Sequence, residues 1–411
     1  MDLPPIKLLA RLGLCPVIVF SLVMAPTAAL AAQSIRVLLS ADVYRLDVQA
    51  DGAVWLTDSS RDGRAIRSDA RITAYGKGFL VNGTRIAHER LTLRAGDRGL
   101  TLMLVKPNDK LPAVSKQGKP VNGQRLSIPV SGLVHVVRKG KGFLVINQVD
   151  LEEYVKGVVP GEVNSSWHPE MLKAQAVAAR TYALYQQMLS AARDYDVVAT
   201  VQDQVYKGKD GVDTAVLRAV DETRGLVLTY QQAPIYAAFS STAAGLTEDA
   251  VNVWSKDYPY LKGVECPFDL ESPFYQWKAS FRMDKLEQSL RQQGYVVGTI
   301  TSIEPLAFSR GGRVAKLRVL HSDGELILRG EDLRKAVGYS IVPSTQFTID
   351  SVGREVVLSG YGAGHAVGMC QWGAKELAEL GYPFSTILSY YYPGTELQEM
   401  SLTKPPIPPT S

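Results

Sequence analysis

The chain has 411 residues, 46% hydrophobic and 21% charged, which excludes a disordered protein and leaves room for one large or two to three ordinary domains. A formal net charge of +4 is mild for this length and argues against a dedicated nucleic-acid binder, which would gather Lys and Arg on one face. The charge is compatible with a polyanionic partner of another kind, such as a cell-wall polymer.

At the N-terminus, Lys7 and Arg11 precede an apolar run from Leu12 to Met24, followed by Pro26 and the small residues Ala28, Ala29, Ala31 and Ala32. A positive start, a short apolar stretch and an A-x-A site predict a signal peptide over residues 1–31. The run is shorter than the roughly 20 residues that span a bilayer. No later stretch reads as a membrane helix, so no membrane span is expected after cleavage. The expected location is secreted or periplasmic and associated with the cell wall. Cys266 and Cys370 remain, and they either pair in an oxidising compartment or stay as two buried thiols.

From Ile35 to about Asp150, runs such as "YRLDVQ", "RITAYG" and "GFLVINQV" alternate apolar and polar residues between Gly and Asp-Gly turns. They predict an all-β region over residues 32–148, with no catalytic cluster in it. Residues 106–123 read as a polar, Pro-containing loop or insertion. At Asp150 the texture changes. "LEEYVKGVV" reads as a short helix and "PGEVNSSW" as a loop holding Glu162. Pro169 then stands at a first helical position, and residues 170–189 predict a long helix. Its Lys173, Gln175 and Arg180 lie on several faces among alanines, which predicts close neighbours on most sides and assigned partners for the polar groups.

Strands return in "GLVLTY" and "PIYAAFSS", with helical "DTAVLRAVDET" before them. Residues 284–293 read as a helix capped by Asp284 and ended by Gly294. A hairpin over 313–328, a helix over 331–337, two strands within 346–359 and a helix over 374–380 follow. The Pro-rich end, residues 398–411, predicts a disordered tail.

Two segments point to chemistry. Glu162 beside Pro160 and Gly161 is a candidate general acid/base, because a carboxyl becomes useful at neutral pH once partial burial raises its pKa. "GYGAGHAVGMCQWGA", residues 360–374, packs five glycines around His365, Cys370, Gln371 and Trp372. It lacks the Gly-Lys-Ser/Thr of a P-loop, and Val367 stands where a dinucleotide fingerprint needs its third glycine. What remains is a flat groove floor for an extended polymer, or a structural histidine in a tightly packed turn. Cys266, Cys370 and His365 are the candidate metal ligands, but without CxxC or HExxH no metal is assigned. No cofactor is expected.

"LEEYVKGVVPGEV", "LKAQAVAARTYAL", "DQVYKG", "AAFSSTAAGLTEDAVNVW", "GHAVGMCQWGAKELAELGY" and "ILSYYYPGTEL" occur in order between residues 149 and 397. In these motifs the chain resembles the SpoIID/LytB family, the stage II sporulation protein D group. The resemblance implies an α+β protein: a β-rich N-terminal region, then a mixed α/β domain over 149–397 with a substrate groove. It implies a lytic transglycosylase that cleaves peptide-stripped peptidoglycan glycan strands, with Glu162 as the acid. It also implies Lys173, Gln175, Arg180, His365, Gln371 and Trp372 as substrate-binding or positioning residues. Arg180 has the alternative of a buried ion-pair partner. A second reading is a cell-wall-binding module that enhances a partner amidase. Some relatives carry zinc-binding His and Cys in the segment matching "FSSTAAG". Here that segment is Ser240 to Ala244 with neither, so that metal site is not expected.

Overall fold

The computed structural model describes residues 33–57, 64–66, 68–94, 96, 99–106 and 126–400. The expected signal peptide and most of the expected tail lie outside the described residues.

Period-two alternation builds the N-terminal half. In Leu100–Val105 the buried residues are Leu100, Leu102 and Leu104, facing one side of their sheet. Two sheets result. A seven-stranded sheet runs in the order Val197–Val198, Ser34–Val43, Gly142–Asp150, Leu133–Lys139, Arg90–Arg94, Val54–Thr57 and Arg64–Ile66. A six-stranded sheet runs Leu126–Val130, Leu100–Val105, Arg45–Gln49, Asp69–Tyr75, Gly78–Val81 and Thr84–Ile86. Their inward residues share one core, where Phe79 and Phe143 meet edge to face at 5.9 Å.

The strand Gly142–Asp150 runs straight into helix α1 (Leu151–Glu162), across the expected boundary at 148/149, and the same apolar core continues on both sides. Asp150 caps α1, its carboxylate accepting from the backbone N–H of Glu152 and Glu153 at 2.9 and 3.2 Å. The helix continues through Pro160 to Glu162, so the loop expected at "PGEV" is helical as far as Glu162. Pro160 removes one donor only, and Val163 N–H still reaches the Val159 carbonyl at 3.0 Å.

Helix α2 (Pro169–Leu189) begins with Pro169 as expected, and His168 is the cap, its imidazole accepting from Glu170 N–H at 3.3 Å. Its residues from Met171 to Leu184 are buried except Lys173, with neighbours on most sides. Helix α3 (Thr214–Glu222), helix α4 (Ala250–Trp254) and the sheet of Ala233–Pro234, Leu226–Tyr230 and Glu396–Glu399 complete this core. "PIYAAFSS" pairs only at Ala233–Pro234 and Phe239–Ser240 rather than as one strand. The strand Glu396–Glu399 extends two residues past the expected start of the tail.

A second apolar core joins two three-stranded sheets to helix α5 (Met283–Gln292) and helix α6 (Gly330–Val337). The expected hairpin lies here, with a third strand, Ile300–Phe308, beside it. Arg282 rather than Asp284 stands at the cap of α5, while Gly294 at φ 89° ends it as expected. Helix α7 (Gln371–Glu379) starts earlier than expected because the Cys370 sulfur accepts from Gly373 N–H at 3.4 Å. Helix α8 (Phe384–Tyr391) has β-branched and aromatic residues of poor helical propensity. Buried Ile387, Leu388 and Tyr391 hold it in place. The whole is the expected α+β class, β-rich on its N-terminal side.

Candidate active site

Four segments converge on Glu162: the end of α1, the middle of α2, the start of α7 and residues 203–208. That last segment, "DQVYKG", lies as a strap across α1. Two glycines four apart on α1 admit it. A methyl group at Gly157 would collide with the Gly208 carbonyl oxygen and the Tyr206 ring, and one at Gly161 with the Val205 carbonyl oxygen.

Side chains then fasten the strap residue by residue. Tyr182 donates to Asp203 at 2.7 Å, and Asp203 also accepts from Val198 N–H at 2.7 Å. Tyr154 donates to Gln204 at 3.0 Å, and Tyr206 donates to Asn147 at 2.9 Å. Lys207 reaches the Pro160 carbonyl at 3.3 Å.

So held, Val205 N–H donates to Glu162 Oε1 at 2.6 Å. The Gln371 amide and the Lys207 ammonium lie near the carboxyl and both favour its charged form. Burial raises the Glu162 pKa from 4.5 to about 7, outweighing Val205, Gln371 and Lys207, which all favour the charged form. The group therefore holds or releases a proton near neutrality, the range in which one carboxyl serves as acid and then as base.

Behind it stands a second layer. Gln371 Nε2 donates to Gln175 Oε1 at 3.3 Å, and Gln175 is fully buried on α2. Gln175 Nε2 has no partner. Trp372, which follows Gln371, meets Trp167 edge to face at 5.0 Å, with the Lys375 ammonium 5.5 Å from the Trp372 ring.

Of the residues expected at the site, Glu162, Gln175 and Gln371 are brought together, with Trp372 following Gln371 in the first turn of α7. Three are elsewhere. Lys173 bonds Glu170 and Glu222, both at 2.8 Å, on the outer side of α2. Arg180 is a fully buried fork on Glu152 at 2.7 and 2.8 Å and also donates to the Leu226 carbonyl at 3.0 Å, so it is the structural ion pair of the two readings. His365 Nδ1 accepts from Val367 N–H at 3.0 Å, and its ring meets Trp254 edge to face at 5.0 Å. Burial, and then the charges of Arg334 and Arg313, lower its pKa to about 3. It is a neutral, structural imidazole facing a small cavity lined by Glu248, Asn252 and Arg313.

The glycine-rich stretch is not an open groove floor. Its glycines lie against the protein itself: Gly368, at φ 73°, is pressed on the Ala238 carbonyl, and Gly373 on Tyr391 and Cys266. The residues missed from sequence are those of the strap, above all Val205 and Lys207. The adjacent small pair Gly157 and Gly161 on a helix was the available signal.

Two changes probe this arrangement. Gly161→Ala is expected to push the strap off α1 and cost about 1–3 kcal/mol in denaturant melts, with the Val205–Glu162 bond lost. Gln371→Leu removes a donor that favours the charged carboxyl, so the Glu162 pKa is expected to rise further above 7, read by NMR titration of the side chain.

The fold thus brings one carboxyl, that of Glu162, to the end of α1 beneath a strap that donates a backbone hydrogen bond to it. Comparison with known proteins gives the family. The family described as "Stage II sporulation protein" (SpoIID) matches residues 139–230, and a domain of unknown function (DUF8618) matches residues 251–368. The chain is 35% identical over 272 residues to stage II sporulation protein D of Bacillus subtilis, covering 62% of this chain and 76% of that protein. It is 34% identical over 255 residues to an uncharacterized protein of Brachyspira hyodysenteriae, covering 62% and 68%. It is also 33% identical over 288 residues to a Bacillus subtilis protein named amidase enhancer, covering 59% of this chain and 40% of that protein. The chain belongs to the stage II sporulation protein D family.

Proposed function

We propose that this chain is a peptidoglycan lytic transglycosylase, exported to the cell wall, that cleaves peptide-stripped glycan strands with Glu162 as acid and then base. The observation that supports it is the shielded Glu162 carboxyl, with a pKa of about 7, held by the Val205 N–H and with the Gln371 amide beside it. Protonated Glu162 gives its proton to the glycosidic oxygen leaving C1 of N-acetylmuramic acid. The carboxylate then takes the proton of that sugar's own 6-hydroxyl as O6 closes on C1. A 1,6-anhydro end forms, no water is consumed, and no second carboxylate is required, unlike in a typical hydrolase.

The neighbourhood fits a one-acid scheme. Both oxygens of Asp203 are engaged, Glu152 is locked to Arg180, and Glu170 is held by Lys173 and by Phe384 N–H. Trp167 and Trp372 supply the stacking surface beside the acid, and Lys207 the positive charge.

The test is digestion of purified, peptide-free glycan strands. Anhydro-ended products from the unmodified chain and none from Glu162→Gln are expected. A second reading, a strand-binding enhancer of an amidase, is favoured by the likeness to the protein named amidase enhancer. Strand binding without products from either form, together with faster turnover by an added amidase, would replace the first reading with the second.

A further inference from the structure

We propose that Cys266, Asp269 and Cys370 form a binding site for one thiophilic divalent cation of the zinc type. The fold brings Cys370 to two metal-ligating side chains, Cys266 and Asp269, from which the sequence keeps it far apart. Cys370 is 101 positions from Asp269, yet its Sγ lies 3.2 Å from Asp269 Oδ2. One ligand atom from each of the three residues falls within 4.8 Å of the others, and all three residues are buried. Cys266 and Asp269 are three apart across a proline, the spacing at which paired zinc ligands commonly occur. None of the three lies in the Ser240–Ala244 segment.

Zinc bonds of about 2.3 Å to sulfur and about 2.0–2.2 Å to oxygen put tetrahedral ligand atoms roughly 3.5–3.8 Å apart, so the cluster needs only a small adjustment to close on an ion. Two sulfurs and one carboxylate select zinc over magnesium or calcium, which prefer all-oxygen shells.

The surroundings prepare the cluster for anionic ligands. Ala243 and Ala244 N–H both donate to Asp269 Oδ2, at 2.7 and 2.8 Å. Ala243 and Gly373 N–H donate to Cys370 Sγ at 3.3 and 3.4 Å. Asp269 Oδ1, by contrast, is buried with no hydrogen-bond partner, a cost that coordination would remove. The Tyr391 hydroxyl, 3.3 Å from Cys266 Sγ, is a further oxygen at the edge of the cluster. Gly373 is glycine because any side chain would strike both Cys266 Sγ and the Tyr391 hydroxyl. Cys370 caps α7 directly before Gln371, so the ion would pin the turn that carries Gln371.

Metal analysis of the purified full chain, with thiol alkylation on the same sample, tests the proposal. About one zinc per chain is expected, with both thiols protected from alkylation until a chelator is added. Cobalt(II) added to the chelated chain is expected to give sulfur-to-cobalt charge-transfer absorption that C266S/C370S does not give. Should the double variant fail to fold, Asp269→Asn serves instead, with zinc affinity expected to fall at least about tenfold while the cobalt–sulfur band persists. Thiols that alkylate only after reduction, with no zinc uptake, would replace the site with a disulfide and overturn it. Free thiols that ignore added zinc, or a cobalt–sulfur band that survives in a folded C266S/C370S, would overturn it as well. None of these readouts depends on glycan cleavage, so the metal site and the proposed activity stand or fall separately.

Discussion

Glu162→Gln is expected to lower the rate of glycan cleavage by at least about 10³-fold while leaving the chain folded, because one group carries both proton transfers. Glutamine keeps the shape and can still accept from Val205 N–H, so binding of strands should survive. The pH dependence has a definite sign. Cleavage starts from the protonated carboxyl, so kcat/KM should be flat on the acid side and fall as pH rises through about 7.

Stability follows the same group. In the unfolded chain the carboxyl ionises near 4.5, and in the folded chain near 7. Between these values the folded state keeps a proton that the unfolded state releases, so stability is highest below the lower value and declines as pH rises through the upper one. The decline attributable to Glu162 is about 3 kcal/mol and should vanish in the Gln variant. Equal pH slopes in the two proteins, or equal cleavage, would remove Glu162 from the role given to it.

Arg180→Met is expected to be the most damaging single change to stability, about 3–5 kcal/mol in urea or thermal unfolding, with activity lost only through unfolding. The guanidinium is fully buried and forked on Glu152, and it also satisfies the Leu226 carbonyl. Removing it leaves a buried carboxylate with Gly225 N–H, at 3.2 Å, as its remaining partner from this ring of contacts. Arg180→Lys should rescue little, because an ammonium cannot make two parallel bonds to Glu152 and still reach a carbonyl. Changing Glu152 to Leu in the Met background should recover part of the loss, since an apolar pair no longer strands a charge. A loss below about 1 kcal/mol for Arg180→Met would show that α1, α2 and the Leu226 strand pack without this clamp.

What the sequence made legible follows from locality. The β alternation, Pro169 at the start of α2, Gly294 after α5 and the crowding around α2 are patterns read within a few residues, and each appears in the fold. Glu162, Gln175 and Gln371 were singled out, and they meet. Glu162 was read on a loop because Pro160 and Gly161 look like helix breakers. In the structure the proline costs one bond near a helix end, and the glycine is there for the strap. The glycine-rich run misled for a related reason. Composition says that something approaches closely, but not whether that neighbour is a ligand or the chain's own residues 238–244. Lys173 and His365 were misplaced because one-dimensional spacing gives the face of an element but not what lies opposite. Asp269 was invisible as a companion to the cysteines for the same reason, since their meeting depends on a contact across 101 positions.

The strap over α1 carries one more consequence. Its Val205 N–H and Lys207 ammonium favour the charged form of Glu162, while the dryness of the setting favours the neutral one. The strap that fastens the carboxyl therefore also tempers it. A change that removed the Val205 bond without admitting water would leave the proton more tightly held.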